Sequence, residues 1–112
     1  MSIDDFLDRV YDIKKYNCSH FVAELWLHLT GEDISHICQA FVGNGDEYLK
    51  RIRHRKKLRK PENPCVAMMT NKMLPPHAGI YLDGRIVHLT EQGVIRADLC
   101  TILPFFKVSY FK

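Results

Sequence analysis

The spacing of apolar residues divides the chain into a helical first half and a strand-forming second half. Between residues 18 and 30, apolar side chains recur every three or four positions, as on one face of a helix; they are Phe21, Val22, Leu25, Trp26 and Leu29. Beyond Pro64 the pattern changes to short apolar runs and alternation, which is typical of strands. The order predicts an α+β fold, with N-terminal helices packed on a C-terminal antiparallel sheet of about five strands.

Residues that begin and end helices set the predicted helix boundaries. Asn17 stands at an N-cap position and Gly31 follows the last apolar turn, so the main helix should begin near Cys18. Asp4 and Asp5 predict a short first helix containing Phe6, Val10 and Tyr11. Two further helices are expected, from Ile34 to Phe41 and from Asp46 to Ile52.

The second half contains a strong hairpin signal. Asp83-Gly84 separates two apolar runs, Ala78–Leu82 and Arg85–Leu89, and this dipeptide favours a two-residue turn. Counting from that turn, position 77 lies opposite position 90, so His88 becomes a diagonal neighbour of His77. The remaining predicted features are a strand from Cys65 to Met69, a turn at Gln92-Gly93 and a strand from Phe105 to Phe111.

Composition and length limit the possible classes of protein. With 112 residues, of which 46% are hydrophobic and 26% charged, the chain has ordinary globular usage, and we expect a single domain over residues 1–112. Neither a signal peptide nor a membrane-spanning run is expected. The four cysteines are widely spread without any Cys-x-x-Cys pair, so free thiols are favoured over disulfides, and neither a metal nor a cofactor is predicted.

Three residues form a candidate catalytic group. A thiol becomes nucleophilic when it loses its proton, and a helix N-terminus such as the one predicted at Cys18 favours the thiolate. His77 is the candidate base, and His88 on the next strand could orient it. The backbone N–H groups of Cys18 and Ser19 are candidate donors to an oxyanion. Each residue alone is more often structural, since a cysteine at a helix start is usually only a small buried residue.

Two sequence motifs resemble those of a known family. Tyr16-Asn17-Cys18-Ser19-His20-Phe21-Val22 resembles the Asp-Cys-Ser-Gly-Phe-Val motif of NlpC-type cysteine peptidases (the NlpC/p-sixty group). The segment from His77 to His88, which begins His-Ala-Gly-Ile-Tyr, is similar to that family's His-Val-Gly-Ile-Tyr hairpin. The chain departs from the family at His20, where a glycine is usual. The end of the chain looks more like the compact members that phages encode.

The resemblance implies a papain-like fold and a thiol hydrolase. Cys18 would be the nucleophile, His77 the base and His88 its orienting group, with Tyr16 and Ser19 near the oxyanion or substrate. The implied substrates are amide bonds in the stem peptides of bacterial peptidoglycan, commonly between D-glutamate and diaminopimelate, and no cofactor is implied. A phage or prophage source follows, with a cytoplasmic or virion-associated location.

Two alternative functions remain open. The segment Asn17 to Val22 is also similar to lecithin:retinol acyltransferase-like enzymes, which carry Asn-Cys-Glu-His-Phe-Val, although there the catalytic histidine precedes the cysteine. This alternative is an amidase or acyltransferase that acts on a substrate outside the cell wall. The other alternative is a non-catalytic interaction domain, which would use a basic segment to dock in an assembly such as a phage tail.

That basic segment runs from Lys50 to Lys60 and holds eight of the sixteen Lys and Arg residues. Without it the net charge of +3 becomes 3 − 8 = −5, so the remainder of the chain is acidic. Such a segment could bind a polyanion or a protein partner, or form only a solvated helix face. Because no aromatic residues interrupt it for base stacking, nucleic acid is not expected to be the main ligand.

Overall fold

The computed structural model describes residues 3–12, 16–38 and 45–112, and combines helices with one sheet. The α-helices are α1 (Cys18–Thr30), α2 (Ser35–Cys38), α3 (Gly45–Ile52) and α4 (Leu99–Ile102). The strands are β1 (Lys57–Leu58), β2 (Cys65–Thr70), β3 (His77–Leu82), β4 (Arg85–Thr90), β5 (Gly93–Asp98) and β6 (Lys107–Phe111). The prediction of helices combined with an antiparallel sheet is confirmed.

In the described part of the chain the sheet has six strands, in the order β1-β6-β2-β3-β4-β5, and every neighbouring pair is antiparallel. The prediction of about five strands omitted β1. That strand lies inside the basic segment and contains one apolar residue, Leu58, so no alternation marks it. The four-residue helix α4 was also not predicted, because it is too short to show a helical period.

The predicted hairpin is present in the predicted register. Ile80 lies opposite Val87, and Asp83 and Gly84 form the turn between the strands with φ of 51° and 84°. Positive φ at both turn residues matches the twist of the flanking strands, which explains the Asp-Gly pair. The following turn comes one residue earlier than predicted, because Gly93 already pairs with Thr90 in the next strand pair.

Helix α1 lies on one face of this sheet. Its apolar stripe is fully buried at Phe21, Val22, Leu25 and Trp26. These side chains belong to the same core as the inward-facing residues of β2, β3 and β4, namely Val66, Met68, Ala78, Ile80, Val87 and Leu89. Burying side chains of this size contributes about 1.5–3 kcal/mol each, so this contact fixes the helix on the sheet.

The other face of the sheet has a smaller core. Alternate residues of the same strands point to it, including Met69 and Ile86, and Ile102 of α4 covers them. His77 is four positions from Tyr81 in β3, and His88 is two positions from Ile86 in β4. Because side chains at even spacings share a face of the sheet, both histidines also point to this face. His77, the first residue of β3, stands at the end of the strand where the start of α1 also lies.

One helix prediction requires correction, and another is confirmed as far as the structure describes it. At Asp4 and Asp5 the chain forms only a three-residue 3-10 turn, Asp4–Phe6, because its apolar residues do not share one buried side. Phe6 is buried, whereas Val10 is 77% exposed. The helix predicted from Ile34 to Phe41 is observed over Ser35–Cys38, and residues 39–41 lie outside the described residues.

Two further expectations concern free thiols and membrane-spanning helices. Cys18, Cys65 and Cys100 are free thiols, while the side chain of Cys38 lies outside the described residues. Over the ranges that the structure describes, no helix is long and apolar enough to cross a membrane.

Gly79 of β3 lies close against β4, and its replacement provides a test of this packing. A Cβ at Gly79 would lie 2.7 Å from Ile86 Cγ2, 3.0 Å from the Val87 carbonyl oxygen and 3.1 Å from His88 Cβ. We expect Gly79→Ala to lower the free energy of unfolding by about 1–3 kcal/mol, as overpacking does, in chemical denaturation.

The matched control is Gly31→Asn. Gly31 ends α1 with φ of 79°, has nothing within 4 Å of an added Cβ, and asparagine tolerates this conformation. The control should lose distinctly less stability than Gly79→Ala. Equal stabilities of Gly79→Ala and the wild type would show that the β3–β4 contact is looser than described.

Candidate active site

Asn17 fixes the start of α1 and thereby the position of Cys18. Its side-chain oxygen accepts hydrogen bonds from the backbone N–H groups of Ser19 and His20, at 3.0 Å and 3.4 Å. The Asn17 backbone N–H donates in turn to His20 Nδ1 at 3.2 Å, which completes a capping box. Cys18 is therefore the first residue of the helix, as predicted, with its neighbours held in place.

Cys18 and His77 line one cavity of about 300 Å³. Each is the first residue of its element, Cys18 of α1 and His77 of β3, and the two elements start at the same end of the packed pair. The remaining lining residues are Tyr11, Leu74, Pro75, Pro76 and Phe106. The predicted nucleophile and base are thus brought to the same cavity.

His77 and His88 are in direct contact. His77 Nε2 lies 2.8 Å from His88 Nδ1, and their rings meet edge to face with centroids 5.0 Å apart. One of the two nitrogens must carry the hydrogen of this bond. If His77 donates, its Nδ1 is unprotonated in the neutral ring and can accept a proton.

Burial determines the charge state of the pair in the free protein. Burial raises the pKa of the Cys18 thiol to about 11, although the backbone N–H groups of Ala78, Cys18 and Ser19 act in the opposite direction. Burial lowers the pKa of His77 to about 4, helped by nearby His88, and burial also lowers the pKa of His88. At neutral pH the thiol and the imidazole are therefore both uncharged, and a proton must pass between them when the thiol reacts.

The structure places Tyr16 away from the cavity, contrary to the expected role near the oxyanion or substrate. The Tyr16 hydroxyl donates to Glu24 Oε2 at 2.6 Å, and Arg9 donates to the other oxygen of that carboxylate. The pKa of Tyr16 is raised, first by burial and then by Glu24. Tyr16 instead ties the segment before Cys18 to the middle of α1.

Ser19 is also committed to a structural role. Its hydroxyl donates to Asn17 Oδ1 at 2.6 Å, and its backbone N–H donates to the same oxygen. The side chain is fully buried. The second position of a helix faces the cap, which explains why this serine serves Asn17 and not a substrate.

His20 replaces the glycine that is usual in the family motif, and it also belongs to the cap. Besides its bond with the Asn17 backbone, its ring stacks on that of Tyr16 with centroids 6.2 Å apart. His20 and Tyr16 line a separate pocket with Glu24 and Leu27, and Cys18 is not part of that pocket. His20 is therefore not a second base for the thiol.

Tyr11 is a site residue that the sequence pattern misassigned. It was counted among the apolar positions of a first helix, yet its ring lines the cavity. Its pKa is raised by burial first and then by the nearby Cys18 and Glu91. Leu74, Pro75, Pro76 and Phe106 were also missed, because loop residues that face a cavity follow no period.

Comparison with known proteins adds no relative. Neither the family models nor the curated proteins contain a match to this chain. The likeness to NlpC-type peptidases therefore rests on the two motifs alone. Among the described residues, no group of three His, Cys, Asp or Glu side chains is arranged to hold a metal ion.

The low pKa of His77 predicts a loss of stability in acid. The unfolded chain takes up a proton near the ordinary histidine pKa of 6.5, whereas the folded chain does so only near 4. Stability contributed by the buried neutral ring is present above pH 6.5 and falls as the pH falls through this window. We expect a loss of about 3 kcal/mol from His77, measured by denaturant unfolding between pH 7 and pH 4.

His77→Gln should remove most of this pH dependence, because glutamine does not titrate. The control His54→Gln changes an exposed histidine of the basic segment that does not line the cavity. It should retain the slope of the wild type. A flat profile in the wild type would mean that His77 is not buried as an uncharged ring.

Proposed function

We propose that this protein is a cysteine hydrolase that cleaves amide bonds through a Cys18–His77–His88 triad. The observation that supports the proposal most directly is the cavity lined by both Cys18 and His77, with His88 bonded to the far nitrogen of His77. The motifs around Cys18 and His77 add the resemblance to NlpC-type peptidases and, with it, a papain-like fold.

The proposed reaction begins with proton transfer from Cys18 to His77. The thiolate attacks the carbonyl carbon of the amide, and the negative oxygen that forms is stabilised by hydrogen-bond donors near the helix start. The protonated His77 gives its proton to the leaving amine, which leaves an acyl group on Cys18. Water then hydrolyses this thioester, with His77 as base.

His88 makes this proton transfer possible in the proposed mechanism. With a hydrogen on His77 Nε2 donated to His88 Nδ1, the opposite nitrogen of His77 is free to take the thiol proton. When His77 becomes charged, His88 accepts a stronger, charge-assisted hydrogen bond. His88 thus offsets part of the cost of creating an imidazolium in a buried place.

The proposed substrate is the stem peptide of bacterial peptidoglycan, with cleavage at a D-glutamyl–diaminopimelate type bond, in a phage or prophage setting. This part of the proposal rests on the resemblance. Incubating the protein with purified cell-wall peptides should release new amino termini, detected by mass spectrometry. Cys18→Ala and His77→Ala should each lower the rate at least about a thousandfold, because triad members act as a unit.

Cys100→Ser provides the control for these substitutions. Cys100 is an exposed free thiol on α4 and does not line the cavity, so its loss should leave the rate unchanged. An acyl adduct on Cys18, seen as an added mass on the intact protein, would identify the nucleophile. Full activity in Cys18→Ala would exclude the triad, whereas the absence of cleavage by the wild type would favour the non-catalytic interaction domain.

A second candidate function is favoured by the chemistry of the cavity wall. Apart from the two reacting residues and Tyr11, the lining side chains are apolar: Leu74, Pro75, Pro76 and Phe106. None of the described lining residues carries a formal charge that would pair with the carboxylates of a stem peptide. An uncharged acyl group fits this wall better, which supports acyl or amide transfer on a substrate outside the cell wall.

This second candidate predicts a preference for longer acyl chains. With p-nitrophenyl esters of increasing length, kcat/KM should rise about twofold to fourfold for each methylene that enters the cavity, since burial of a CH₂ is worth about 0.8 kcal/mol. Phe106→Ala should flatten this dependence. The neighbouring Phe105→Ala is the matched control, because Phe105 is 70% exposed and does not line the cavity.

The two substrate candidates give different results in these assays. A chain-length dependence that is flat in the wild type would count against the acyl substrate. Release of new amino termini from cell-wall peptides would favour the peptidase. Loss of both activities in Cys18→Ala would show that one thiol serves them.

A further inference from the structure

The basic segment is not one helix face. α3 ends at Ile52, residues 53–56 form turns, and Lys57 begins β1 at the edge of the sheet. Part of the segment is paired with acidic side chains: Arg51 with Glu47, and Arg55 with Glu32. The remaining cations therefore determine what the segment can bind.

At this edge, two adjacent pockets are lined by cations that form no ion pair with an acidic side chain in the described ranges. The first, of about 340 Å³, is lined by Arg53, Lys57 and Lys107. The second, of about 360 Å³, shares Lys57 and Lys107 and adds Arg59. The two pockets share Lys57, Lys107 and Ser109, so they adjoin at the β6 edge, the first on the face of Met68 and Phe111 and the second reaching Val108 and Tyr110. We call the two together the basic groove.

No described residue that lines the basic groove is acidic. Arg53, Lys57, Arg59 and Lys107 form no ion pair with an acidic side chain in the described ranges. Grouping like charges around one concave surface raises the local positive potential, and a bound anion would relieve their repulsion. The arrangement favours a ligand with several negative charges.

Neutral hydrogen-bonding groups complete the groove. Ser109 lines both pockets beside the cations, and Thr70, whose hydroxyl donates to the Lys107 carbonyl oxygen, lines the first. Cations together with hydroxyls are the groups that proteins use to hold phosphate oxygens. The short strand β1 pairs with β6 only at Phe111 and Tyr110, which leaves Lys107 and Ser109 beyond its end.

We propose that the basic groove binds a linear phosphate polyanion, with at least two successive phosphates seated over Lys57 and Lys107. The four cations around the groove carry more positive charge than a single phosphate neutralises. Aromatic side chains are few here: Phe111 is buried and Tyr110 is half-buried, so base stacking contributes little. Because the groove and the Cys18 cavity share no lining residue, the inference is independent of the proposed catalysis.

The test uses long-chain inorganic polyphosphate as the probe, with binding followed by isothermal titration calorimetry at several salt concentrations. The double variant Lys57→Gln/Lys107→Gln should bind at least about tenfold more weakly than the wild type. The slope of log affinity against log salt should fall by about one for each lost phosphate contact.

The matched control is Lys60→Gln/Lys72→Gln, which has the same net charge but alters two exposed lysines outside the groove. It should change the affinity by less than about threefold, as non-contacting charges do. Arg53→Gln is a further groove variant and should also weaken binding, should the double variant fail to fold by circular dichroism.

Three results would overturn the inference. The first is the absence of polyphosphate binding by the wild type. The second is an equal loss in the two double variants, which would mean that only net charge matters. The third is an oligodeoxynucleotide of equal phosphate number that binds more than about tenfold tighter than polyphosphate, since base contacts would then carry the affinity.

Discussion

The packing of α1 against β3 is the contact on which the candidate site depends. Cys18 and His77 are 59 positions apart in the sequence, and each stands at the first position of its element. The buried stripe of the helix lies on the inner residues of the strand, so the two starting points meet at one end. Neither residue needs a long side chain to reach the cavity, because the backbone already places it there.

Two local features fix the start of α1 and the position of β4 beside β3. At the helix, Asn17 satisfies the free N–H groups of the first turn and so decides which residue begins α1. At the hairpin, Gly79 leaves room for Ile86 and His88, which lets the two histidines meet diagonally. A side chain at Gly79 would push β4 away from His77, and a missing cap would let the cysteine leave the helix start.

Much of this arrangement could be predicted from the sequence, because it depends on local signals. The Asp83-Gly84 turn fixes the register of its hairpin, and the register fixes the diagonal position of His88 relative to His77. The cap at Asn17 is equally local. Tyr11 illustrates the limit: its position is determined by contacts with residues that follow much later, and no period or motif encodes such contacts.

The roles of Tyr16 and Ser19 show a second limit of sequence reasoning. Because both residues are close to Cys18 in the chain, both were predicted to face the substrate. At a helix start, however, neighbouring polar groups form hydrogen bonds with the backbone N–H groups that have no partner within the helix. The Ser19 hydroxyl donates a hydrogen bond to Asn17, and the Tyr16 hydroxyl donates one to Glu24. Polar residues next to Cys18 therefore hold the start of α1 in place.

The electrostatics of the cavity explain why such support is needed. A buried thiol and a buried imidazole both prefer to be uncharged, so the protein does not hold a standing ion pair. In the proposed mechanism, charge would develop only when the thiolate attacks a substrate carbonyl. The backbone N–H groups of Cys18 and Ala78, and the neighbouring His88, are the groups that could stabilise this charge.

The same protein separates its charged and apolar binding surfaces. The cavity wall is mostly apolar and includes the start of β3 and Phe106, whereas the basic groove lies on β1, β6 and β2. The two surfaces share no lining residue, although Phe106 of the cavity and Lys107 of the groove are adjacent in the chain. Binding to a charged polymer and reaction with an uncharged group are therefore compatible in one chain, and the acidic remainder of the surface would direct the polymer to the groove alone.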